Sequence, residues 1–88
     1  MRMSERAIMS LEDSYNDRII ECYDLAKRNV FSDFPAELIR AMKTIHEELC
    51  WAEEGGMIPS DEAERLWASV EETAERLLDD WESEIDND

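Results

Sequence analysis

The chain has 88 residues, 43% of them hydrophobic, with three Trp, two Tyr and two Phe and a formal net charge of −15. That length supports one hydrophobic core, and the apolar and aromatic content is too high for a disordered acidic chain. A mean hydropathy of −0.59 without a long apolar run excludes a transmembrane helix, and the charge repels DNA, RNA and anionic membranes.

The first ten residues, "MRMSERAIMS", lack the apolar core of a signal peptide, so cytoplasmic residence is expected. The first predicted helix covers about 5–30. Ile8, Leu11, Tyr15, Ile19, Cys22, Ala26 and Val30 recur in steps of three and four, and Ile20 and Tyr23 widen the stripe. So broad an apolar arc leaves homodimerisation open. Cys22 and Cys50 lie on or beside apolar stripes and are expected as buried, reduced thiols.

In "NVFSDFPAE", Ser32 or Asp33 supplies a cap and Pro35 suits a first helical turn. The second helix then covers about 34–54, with a stripe of Leu38, Met42, Ile45, Leu49 and Ala52. Trp51 lies off that stripe, just before Gly55 and Gly56. It either packs under the "GGMIP" loop or stands exposed as an aromatic anchor for a partner, and Met57 and Ile58 pose the same choice.

Pro59 blocks continuation, and Ser60 or Asp61 is expected to cap a third helix over about 61–84. Its stripe is Ala63, Trp67, Val70, Ala74, Leu77 and Trp81, with Trp67 and Trp81 expected in the core. No alternating strand pattern competes anywhere. The short connections predict an all-α fold, an antiparallel up-down-up three-helix bundle that is a monomer or a dimer.

Charge is unevenly divided. Residues 1–60 hold twelve acids and seven bases, a net of −5; residues 61–88 hold twelve acids and two bases, a net of −10. The closing segment "LLDDWESEIDND", with its acidic end at 79–88, has no base at all. A helix over residues 61–88 would be about 42 Å long with one carboxylate per roughly 3.5 Å, near the linear charge density of a single nucleic-acid strand. Several of these acids oppose the helix dipole or repel one another, as Glu71 and Glu75 do four residues apart. A solvated acidic face is the alternative reading of the same residues.

Residues Arg40 to His46, "RAMKTIH", resemble the catalytic motif of HEPN-type ribonucleases, which are all-helical and usually dimeric. The resemblance implies His46 as general acid or base and Arg40 as the group that steadies a phosphate. Ala41 stands where that family usually carries a polar residue. "EETAE", Glu71 to Glu75, matches half of the acidic pattern of helical nucleotide pyrophosphatases, but the second half is missing. His46 has no second histidine or cysteine pair to share a metal, so no metal and no cofactor are expected.

In physical style the chain is similar to the acidic helical nucleic-acid mimics that phages use against restriction and CRISPR systems. The likeness implies a binding protein without enzymatic activity, an inhibitor that occupies a basic, nucleic-acid-handling protein and binds neither nucleic acid nor membrane itself. The partner-binding residues would be Glu71, Glu72, Glu75, Asp79, Asp80, Glu82 and Glu84, with Trp51 as apolar anchor. The competing class is an oligomerising adaptor or antitoxin-like assembly module, in which the acidic end serves solubility.

Overall fold

The computed structural model describes residues 2–28 and 33–86. It is an all-α three-helix bundle built from α1 (Glu5–Lys27), α2 (Phe34–Glu54) and α3 (Ser60–Asp86), long and slim at 50 × 17 × 17 Å.

Each helix end follows from local chemistry. Ser4 caps α1 by accepting from the Ala7 N–H at 3.2 Å. The helix closes at Lys27, with the Arg28 N–H donating to the Asp24 carbonyl at 3.1 Å, earlier than the apolar stripe suggests. Val30 and Ser32 lie outside the described residues. Asp33 caps α2, accepting from Ala36 N–H at 3.3 Å, and Pro35 occupies the first turn. At the other end Gly56 adopts φ 74°, which a side chain would resist, and the Met57 N–H returns to the Ala52 carbonyl at 2.9 Å. The cap expected at Ser60 or Asp61 is not used. Ser60 is already helical, its hydroxyl donates to Glu53 at 2.9 Å, and the first α3 bond runs from the Ala63 N–H to the Pro59 carbonyl at 2.9 Å.

The core draws on all three helices. Ile8, Tyr15, Ile19 and Ala26 from α1 meet Phe34, Leu38, Ile45 and Leu49 from α2. Ala63, Leu66, Val70 and Ala74 complete it from α3, and Ile58 plugs it from the loop. Each fully buried large aliphatic side chain contributes about 1.5–3 kcal/mol. Trp67 and Trp81 are half-buried at its edge rather than inside it, and Leu66 and Thr73 take the buried positions that face α1. Cys22 and Cys50 are free but only half-buried, because both sit at groove mouths between helices. Burial, with the nearby Glu37 carboxylate second, pushes the Cys22 thiol up and keeps it protonated.

Contacts fix how the helices lie. Along α1 and α3 the partners climb together: Glu12 with Arg65 (2.8 Å), Asn16 with Ser69 (3.1 Å), Lys27 with Glu84 (2.8 Å). Along α1 and α2 they run against each other: the Met3 N–H donates to the Met57 carbonyl, Arg18 pairs with Glu48, and Tyr23 meets Phe34 edge-on at 5.1 Å. The α1–α3 seam is polar, carried by a relay in which Thr73 donates to Asn16, Asn16 to Ser69 and Ser69 to Glu12. The α2–α3 seam is aromatic instead.

Candidate interaction surface

The apolar stripe of α3 turns inward, so its acids are turned out. Asp61, Glu64, Ala68, Glu72, Glu75, Asp79 and Glu82 follow one another in steps of three and four and are all exposed. They form a single ridge about 32 Å long. Among the described residues none of its carboxylates enters an ion pair. The Arg65 guanidinium is held on the seam side by Glu12 and Glu62, and that contact drives the Glu12 carboxyl below the ordinary range against the opposing effect of burial. The ridge line itself therefore carries carboxylates and one alanine, and a base, the exposed Arg76, borders it four residues after Glu72 and three before Asp79.

The expected binding residues divide on this geometry. Glu72, Glu75, Asp79 and Glu82 belong to the ridge. Glu71, four residues after Trp67, flanks it toward α2, and Asp80, seven after Thr73, flanks it toward α1. Glu84 is engaged elsewhere, since its carboxylate binds Lys27 at 2.8 Å and raises that ammonium's pKa.

Trp51 is 72% exposed and does not pack under the loop; Ile58 does so instead, at 2% exposure. Seven residues separate Trp51 from Thr44, which places both on the same side of α2. Thr44 lines the groove between α1 and α2 with Arg18, Glu37 and Arg40. Trp51 thus stands on the flank of α2 remote from α3, and it does not share a face with the acidic ridge.

A different apolar residue lies close to the ridge. Ile39 is 68% exposed. With Met42, Lys43, His46 and Trp67 it lines a shallow groove of about 410 Å³ between α2 and α3. The His46 ring meets Trp67 edge-on at 4.8 Å, and Cys50 Sγ lies 3.8 Å from His46 Nδ1. Glu64 lines the continuation of this groove past the same His46 and Trp67. Sequence reasoning passed over Ile39, whose one signal is its position: it adjoins Leu38 yet stands off the α2 stripe.

Arg40 and His46 line separate grooves, Arg40 facing α1 beside Glu37 (3.8 Å) and His46 facing α3 against Trp67. Six helical residues turn the chain by about 240° from start to end, so the pair does not converge on one phosphate within a single chain. Among the described residues no group of three His, Cys, Asp or Glu side chains is placed to hold a metal, and no helix is long and apolar enough to cross a membrane. Comparison with protein-family models, curated proteins and solved structures found no match.

Proposed function

We propose that this protein binds a basic surface of a nucleic-acid-handling protein and blocks it, with the α3 ridge standing in for a phosphate strand. One observation carries the reading: a rod of outward carboxylates without ion pairs among the described residues, on a helix whose other side is anchored in the core. Such an array attracts a basic partner over long range and sets the register of docking. Neutral or acidic surfaces gain nothing from it.

The test captures partners from a host lysate at low salt and challenges the complex with duplex DNA or RNA. Release of a basic nucleic-acid-binding protein is expected, together with affinity that falls steeply as salt rises. Affinity that is the same at low and high salt, or capture that nucleic acid cannot displace, overturns the reading. Replacing Glu72, Glu75, Asp79 and Glu82 by their amides is the matching variant, because it removes charge and leaves the core intact.

A second reading, an assembly module completed by another chain, is favoured by Met9 and Ile20. They are 62% and 47% exposed and lie eleven residues apart, three turns along the same side of α1. In that case the amide variant keeps its oligomeric state and its partner.

A further inference from the structure

The groove between α2 and α3 lies beside the ridge, and the two surfaces differ in chemistry. Its floor is apolar, made by Ile39, Met42 and the Trp67 ring. One rim is acidic. Glu64 lines the groove three residues before Trp67, and the exposed Glu71 follows four residues after it, so both carboxylates stand on the α2-facing side of α3. The opposite rim carries Lys43. From Ile39 to Glu53 the two continuous groove sections extend about 21 Å, the length of a helix of roughly 14 residues.

We propose that this groove takes an amphipathic basic helix of the partner protein, with aliphatic side chains on Ile39 and Trp67 and lysines or arginines along Glu64 and Glu71. The inference rests on the reading that the partner is basic and adds to it the partner's element and the apolar anchor. Charge decides among occupants. A second copy of a chain with net charge −15 brings its own acids toward Glu64 and Glu71, whereas a cationic helix pairs with them. The apolar floor distinguishes a helix from a bare phosphate-binding loop, since a loop reading only the ridge has no use for Ile39. Desolvated apolar anchors next to complementary charge are where binding energy concentrates.

The test uses the full chain labelled for NMR and two synthetic peptides of one composition. The first places leucines at i, i+3, i+4 and i+7 among lysines; the second scrambles them. The amphipathic peptide should shift the Trp67 indole and the amides around Ile39 to His46, and bind about tenfold more tightly than the scrambled one. Ile39→Asp should weaken the amphipathic peptide by at least about tenfold and should not weaken the scrambled peptide, whose lysines the added carboxylate attracts. Ile39 is exposed, so this variant should keep its helical circular dichroism, and Ile39→Ala gives a second, milder readout. Equal binding of both peptides, with shifts confined to the outer ridge and no effect of Ile39→Asp, overturns the groove and leaves the ridge reading standing. No binding of either peptide at low salt overturns both. Trp67 shifts that grow with protein concentration and without peptide would assign the groove to a second copy and overturn the proposal.

Discussion

Phe34 and Trp81 pack with ring centroids 5.5 Å apart and planes tilted by 48°, which fastens the first turn of α2 to the acidic end of α3. Phe34 is fully buried and also meets Tyr23, so this contact reaches into the core. The tryptophan among the carboxylates is therefore what holds them in place. Trp81→Ala should cost about 2 kcal/mol and Phe34→Ala about 3–4 kcal/mol in urea unfolding, the difference following from the partial exposure of Trp81. A Trp81→Ala variant as stable as the parent would mean that the end of α3 is not docked. It follows too that deleting residues 79–88 confounds charge with packing, and that amide substitutions separate them.

Acid should act on stability through Glu12 and Glu48. Hydrogen bonds from Arg65 and from Arg18, respectively, hold these two carboxyls below the ordinary range in the folded chain. A lowered folded pKa means stability that is complete above the unfolded value, near about 4.3, and lost as pH falls through the folded one. Denaturation curves between about pH 6 and pH 3 should show a smaller loss for the Glu12→Gln, Glu48→Gln double variant than for the parent. Comparing the two chains cancels the effect of protonating the ridge, which they share. An equal loss would remove these pairs from the acid response.

Added salt should stabilise the fold. The ion pairs are largely exposed and contribute little, while like charges recur four apart on α3, as in Glu71 with Glu75 and Glu75 with Asp79. Screening relieves the repulsion more than it weakens the pairs. Tm should rise by about 3–6 °C between low salt and roughly half-molar sodium chloride, as read by circular dichroism. A falling Tm would show that attraction dominates.

Trp51→Ala should change stability by less than about 0.5 kcal/mol. Its indole should be the most readily quenched by acrylamide, as its 72% exposure requires. Binding through the ridge should survive the substitution, because Trp51 faces the other flank of α2. A large loss of affinity would place the partner across the α1–α2 groove.

The helices were legible because the chain punctuates them: Asp33 and Pro35 open α2, and Gly55, Gly56 and Pro59 close it. The α3 stripe was legible in part. Steps of three and four trace one line, but a helix packed against two neighbours buries a wider arc, and that arc takes in Leu66 and Thr73. Thr73 is polar, and its burial depends on Asn16, 57 residues away, which no local pattern reveals. The same distance hid the engagement of Glu84 by Lys27. The acidic ridge was visible as composition, yet its division into outward, flanking and seam carboxylates needed the helix to be set against α1 and α2. Of the two places open to Trp51, the one under the loop is taken by Ile58, which fills the site that the glycine turn creates and leaves the indole exposed.

The relay from Thr73 through Asn16 and Ser69 to Glu12 also bears on the order in which the chain assembles. Its partners lie 53–57 residues apart, so bringing them together closes long loops, whereas only a few residues of chain separate α2 from each neighbouring helix. On that ground local helix pairs are expected to form first and the relay to lock afterward. Thr73→Val, which removes the donor and leaves the Asn16 oxygen unpaired, should therefore cost about 1–2 kcal/mol. Nearly all of that cost should appear as faster unfolding, with the folding limb of the chevron unmoved. The buried hydroxyl would then set how long a folded molecule lasts, and not how quickly it is made.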